Sequence, residues 1–144
     1  MSMLSWIAEQ QQQQHLNLEV QLLYGVRDPG SRCDILFLER IRGVFEAGLV
    51  RGGVRLFLTG ATTTTTGEGA EGSGSGEGER GVPVVRRRMV VRDVEEAVGE
   101  DKEGAVVYVC GVPGMTDEFV RGLVAPAPEG VGMDERRVLF EKWW

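Results

Sequence analysis

Residues 62–81 (TTTTTGEGAEGSGSGEGERG) constrain this chain most, because twenty consecutive positions offer a single apolar side chain, Ala70. A stretch of that kind cannot bury enough surface to offset the entropy of ordering itself, so disorder is expected across it. Any fold must be assembled from the 61 residues before the block and the 63 after it. The block also holds four Glu against one Arg, a net of −3, which is half of the chain's −6. The remainder is therefore only mildly acidic, which argues against a nucleic-acid-binding surface. Outside the block the composition is that of a globular domain, and the chain's 144 residues suit a single domain, 1–144, with 62–81 as an insert.

Several chemistries are excluded by what is missing. No apolar run approaches the ~18 residues that a membrane span requires. The opening MSMLSWIAEQ has neither the basic region and cleavage site of a signal peptide nor the arginines of a transit peptide. Cys33 and Cys110 lie far apart with no C-x-x-C, which argues against a disulfide scaffold or a zinc site. The one histidine, His15, follows a glutamine run and reads as a solvated residue, so a metalloenzyme or a Ser/His hydrolase is not expected.

The order of elements points to an α/β domain. Met3, Leu4, Ile7 and Ala8 predict a short amphipathic helix over residues 1–9, with Gln10–Gln14 as its frayed extension. Such a helix opens without a capping residue or preceding turn, so a missing upstream segment is expected. Leu18–Val26 reads as a strand ending at the turn Arg27-Asp28-Pro29-Gly30. Ser31 and Asp34 form a capping box before a helix carrying Phe37, Ile41, Val44 and Phe45, stopped at Gly48. Val54–Thr59 is the next strand. After the block, Val84–Val91 resumes order, and Asp93 to Glu96 reads as a capping box for a helix to Val98. Ala105–Cys110 is apolar enough for a strand buried on both faces. Thr116 caps a helix closed by Pro126, and Arg137–Phe140 is a last strand. Alternating strands and helices imply a doubly wound, mostly parallel sheet, whose ligands gather at the carboxyl ends of the strands.

Three strand ends then matter: Gly25 to Asp28, Thr59-Gly60, and Cys110 to Met115. The last is the most suggestive. A strand, a glycine permitting close approach and a helix N-terminus suit a phosphate or dinucleotide, although such turns also serve plain connections. On the residues alone, Cys110 also reads as a small core hydrophobe, Arg27 as half of a solvated turn pair, and Thr59 as a strand end. Arg86-Arg87-Arg88, balanced by Asp93, Glu95 and Glu96, reads as a solvated face. Of the adjacent Trp143 and Trp144, at most one is easily buried, because neighbouring strand residues point to opposite sides.

The stretch VVYVCGVPGMTDEFVRGL resembles the C-terminal signature of the ferredoxin–NADP reductase superfamily: apolar strand, C-G-P-P-x-M, helix. MSMLSWIAEQ is similar to the helix after that family's Gly-rich loop, LLYGVRDPG with DILFLERI to its second strand and helix, and RVLFEKWW to its aromatic-ended terminus. The resemblance covers nearly all of the chain outside residues 62–81 and is closest to the oxidoreductase NAD-binding domain-containing protein 1 group. Val112 stands where the family has proline.

The resemblance implies the NAD(P)H-binding half of an FAD-dependent oxidoreductase in which hydride passes between nicotinamide and flavin. Carried over, Cys110 lies beside the nicotinamide ring, Gly111, Pro113 and Met115 shape the nucleotide groove, and Thr59 lines it. Arg27 meets the adenosine ribose or its 2′-phosphate, with NADH and NADPH both open, and Trp143 or Trp144 lies against the flavin. The family's Gly-rich loop, the central strand before it and the flavin domain have no counterpart in these residues, so the domain is expected to be N-terminally incomplete and inactive by itself. The alternative is a non-catalytic nucleotide- or partner-binding module. The resemblance suggests mitochondria and leaves the electron acceptor open.

Overall fold

The computed structural model describes residues 3–14, 18–30, 35–60, 76–77 and 81–143. The chain divides into two compact units at Arg88/Met89. It is α/β, with small parallel sheets and helices in each unit.

The first unit is built around a βαβ crossover. Strand β1 (Glu19–Arg27), helix α2 (Leu38–Glu46) and strand β2 (Arg51–Thr59) follow helix α1 (Met3–Gln14). β1 and β2 pair in parallel along nine residues, from Glu19 opposite Arg51 to Arg27 opposite Thr59. β4 (Pro83–Val85) adds to the far side of β2 in parallel, and the two-residue β3 (Gly76–Glu77) pairs antiparallel with β4. Ile35, Leu38, Leu56, Leu58, Val82 and Val84 form the core, with Tyr24, Val26 and Val54 packed against it. On the opposite face Phe57 is fully buried, with the Arg87 guanidinium 5.6 Å from its ring centre.

Gly52 makes the close pairing of β1 and β2 possible. It adopts φ +119°, and a Cβ there would sit 2.0 Å from the Val20 carbonyl oxygen. The end of α2 follows the anticipated glycine stop. Gly48, at φ +66°, donates its N–H to Phe45, and Leu49 donates to Val44, which satisfies carbonyls that the helix end leaves open.

The second unit contains α3 (Val91–Val98), β5 (Val107–Gly111), α4 (Pro113–Val124), a 3-10 turn (Glu135–Arg137) and β6 (Val138–Lys142). β5, α4 and β6 form a second βαβ crossover, with Val107 opposite Val138 and Gly111 opposite Lys142. Phe119 and Leu123 of α4, Val109 of β5 and Val138 of β6 are buried. Gly122 lets α3 approach α4, since a Cβ there would lie 2.7 Å from a Val91 methyl.

Several expectations need correction. β1 and β5 stand in different sheets: β1 pairs with β2 and β5 with β6, so no single sheet joins them. Ser31 and Asp34 lie outside the described residues, and α2 begins only at Leu38, because Phe37 is an exposed left-handed residue (φ 63°) at its N-cap. Leu38 takes the buried place instead. α1 is one helix through Gln14 rather than a frayed extension, and the Gln11 amide donates to the Leu18 carbonyl at 2.7 Å. α3 begins at Val91, so Asp93 is its third residue and not its cap. α4 begins at Pro113, three residues ahead of Thr116, because proline's fixed φ and missing N–H suit a first helical turn. β5 is not buried on both faces: Val109 is buried while Tyr108 and Cys110 are exposed, since α4 covers one face only. β6 is shifted by one to two residues, to Val138–Lys142. Within the glycine-rich block, Gly76–Glu77 form β3, whose backbone pairing requires no side chain; residues 62–75 and 78–80 lie outside the described residues.

No helix among the described residues is long and apolar enough to cross a membrane.

Candidate functional site

The residues singled out from sequence fall into two clusters, one at the carboxyl end of each unit's parallel strands. In the first unit, the parallel register sets Arg27 opposite Thr59. The Thr59 carbonyl accepts the Asp28 N–H at 2.7 Å, and its hydroxyl donates to the Val26 carbonyl at 3.4 Å. Gly60 turns away at φ +76°, and the Arg27 side chain lies against it, with Cγ and Nε 3.4 Å from where a Cβ would be.

Asp28 has a different partner from the one its position suggests. Its carboxylate accepts the Gly30 N–H at 2.9 Å and an Arg86 guanidinium N–H at 2.7 Å. Arg86 therefore joins this strand-end cluster through Asp28 while staying exposed, like Arg87 and Arg88 beside it. The parallel pairing of β4 with β2 carries Arg86 there, and a 58-residue separation hid the contact from the sequence. A shallow cleft lies at the opposite, amino end of these strands, between Gln21, Arg42, Glu46 and the glycines 52 and 53. Of its two lining arginines, Arg42 is engaged by Glu46 within α2, which raises the Arg42 pKa.

In the second unit, β5 ends at Cys110-Gly111 and runs through Val112 into α4. Three features define this end. The Gly111 carbonyl accepts the Trp143 N–H at 2.8 Å and the Thr116 hydroxyl at 3.3 Å. Thr116, fully buried, can also donate to the Val112 carbonyl at 3.2 Å, so its hydroxyl ties the turn to the helix. The Met115 methyl covers Gly111: a Cβ on that glycine would lie 2.2 Å from it. The N-cap of α4 is Val112, which supplies no side-chain acceptor, and the first residue is Pro113. Thr116 donates its N–H to Val112, leaving the Gly114 and Met115 amides at the positive end of the helix without intrahelical acceptors.

No family model, curated protein or solved structure matches this chain.

Sequence reasoning missed the polar pair beside Cys110. Tyr108 and Glu141 lie on one face of the β5–β6 ribbon, and the phenol donates to the carboxylate at 2.6 Å. That hydrogen bond, reinforced by partial burial and the negative charge, pushes the Tyr108 phenol up to about 12. The Cys110 thiol is pushed up as well, first by partial burial and then by Glu141, against a smaller opposing hydrogen bond to Trp143. The thiol therefore favours its neutral form near pH 7 and reacts slowly as a nucleophile, offering a soft contact surface. Trp143 is exposed beside it, and Trp144 lies outside the described residues.

Proposed function

We propose that this chain is the NAD(P)H-binding half of an FAD-dependent oxidoreductase, with the nucleotide engaging the carboxyl end of β5. The observation that carries this reading is the β5–Gly111–α4 junction. A parallel strand ends in an exposed, neutral cysteine, and the next helix presents uncapped amides, as an anionic nucleotide requires. Bound there, a nicotinamide supplies a hydride. Cys110 would offer a neutral, polarizable surface to its ring, and the Gly114 and Met115 amides would face its phosphates. Pro113 fixes the first turn of α4, and Met115, an unbranched thioether, can withdraw from Gly111 to open the groove. The family resemblance assigns Arg27 to the adenosine ribose or its 2′-phosphate and Thr59 to the lining of the nucleotide groove; within the first unit the two stand opposite each other at the ends of β1 and β2. FAD is assigned by the same resemblance to a separate domain, with Trp144 against it.

The test is protection of Cys110 from alkylation, read by peptide mass at pH 7 with NADH or NADPH titrated in. Saturable slowing at Cys110 is expected, and a nucleotide-independent rate would overturn the reading.

A further inference from the structure

The carboxyl end of β1 carries two residues with opposite consequences for a nucleotide. An acidic side chain at such a strand end accepts the ribose 2′-hydroxyl of NADH, whereas an arginine nearby accommodates the 2′-phosphate of NADPH. Here Arg27 and Asp28 are adjacent, so their surroundings decide between the two coenzymes. Asp28 is occupied on both oxygens. Its Oδ1 accepts the Gly30 N–H at 2.9 Å, and its Oδ2 accepts an Arg86 guanidinium N–H at 2.7 Å. The Asp28 side chain is 16% exposed and that of Arg86 is 56% exposed. A ribose approaching this strand end therefore meets a guanidinium in front of a carboxylate that is already engaged.

We infer that this strand end selects a 2′-phosphorylated adenosine, so that the coenzyme is NADPH, with Arg27 and Arg86 as the phosphate-binding pair. The inference rests on the nucleotide reading above for its ligand. Arg86 does two things at once. It neutralises Asp28, whose charge would otherwise repel a phosphate, and it brings a guanidinium to the strand end. A guanidinium carries five donors, so the one spent on Asp28 leaves others for phosphate oxygens. Arg27 is exposed, and its side chain lies along Gly60, where a Cβ would come within 3.4 Å of its Cγ and Nε. The Asp28 N–H donates to the Thr59 carbonyl at 2.7 Å, which ties the ends of β1 and β2 together and holds Arg27 and Asp28 in place. Two arginines against Asp28 leave a positive excess, and Arg87 and Arg88 follow in the chain, exposed. A dianionic phosphate suits that excess, and a neutral hydroxyl does not use it.

Calorimetric titration of the full 144-residue chain with adenosine 2′,5′-bisphosphate, adenosine 3′,5′-bisphosphate and 5′-AMP tests this. The 2′,5′-isomer is expected to bind at least about tenfold tighter than either other ligand, and the 3′,5′-isomer controls for charge alone. Arg86→Ala should remove that preference while keeping or tightening 5′-AMP, because Asp28 then loses its guanidinium partner. Retained 5′-AMP binding also shows that the variant is folded. Equal affinity for the two bisphosphates, or no binding of the 2′,5′-isomer, overturns the inference. So does an Arg86→Ala chain that keeps the selectivity or loses both ligands alike. Failure of the nucleotide reading looks different: Cys110 alkylation then ignores NADH and NADPH alike, whereas equal protection by both overturns the choice of NADPH alone.

Discussion

Gly52 acts through the atom it lacks. Its φ of +119° is accessible to glycine alone at little cost, and a Cβ would sit 2.0 Å from the backbone of Val20 on the paired strand. Gly52→Ala should therefore destabilise the protein by more than about 3 kcal/mol, measured by chemical denaturation, through strain and displaced backbone together. A loss below 1 kcal/mol, the ordinary cost of a glycine change, would refute this. The sequence shows a glycine pair at 52–53 but not which partner it meets, because that contact depends on register. The same holds for Tyr108 and Glu141, 33 residues apart yet hydrogen-bonded across one face. A phenol whose folded pKa stands near 12 against an ordinary 10.0 keeps its proton more tightly when folded. Its stabilising contribution is complete below pH 10 and is lost as pH rises towards 12. Glu141→Gln should bring the Tyr108 titration down towards 10, read by ultraviolet difference absorbance, and speed alkylation of Cys110 by lowering its raised pKa.

At the scale of elements, the hydrophobic periods located most helices and strands, whereas their first residues were misplaced for a consistent reason. Asp93 and Thr116 are residue types that satisfy helix-start amides or carbonyls, and each was read as the cap. In the structure the side chain reaches back from inside the first turn. The Asp93 carboxylate, 2% exposed, accepts the Val90 N–H at 2.8 Å, while Val90 itself has no side-chain acceptor to return. Cap and third-residue acids serve neighbouring donors, so local sequence cannot separate them when an unremarkable valine occupies the cap. Asp93→Ala leaves that partly buried amide without its carboxylate and should cost about 1–2 kcal/mol. Thermal unfolding monitored by circular dichroism checks this, and an unchanged midpoint would show that Asp93 does not hold the start of α3. Gly48 is legible as the stop of α2 because a left-handed stop admits few other residues.

Over the whole molecule, the α/β class and the strand–helix alternation were legible, while the division of strands between sheets was not. Alternation predicts parallel neighbours but cannot say which strands meet, since pairing is decided by contacts remote in sequence. β1 and β5 both read as strands of one sheet, yet each pairs within its own βαβ crossover. The candidate site shows the same limit: Cys110, Gly111, Pro113 and Met115 are contiguous and were found together, whereas Arg86 reaches Asp28 only through strand order. Pairing also sets where the first unit should be most resistant to opening. Of the two nine-residue strands, only β2 is bonded on both sides, to β1 and β4, and Leu56, Phe57 and Leu58 are its most deeply buried run. Opening it requires breaking two ladders and exposing both sheet faces, whereas β1 can separate from one side only. Native-state hydrogen exchange should therefore rank the amides of residues 56–58 as the slowest in this unit, ahead of β1 and of α2. Exchange at residues 56–58 as fast as at the ends of β1 would mean that β2 is not the structural centre of this unit.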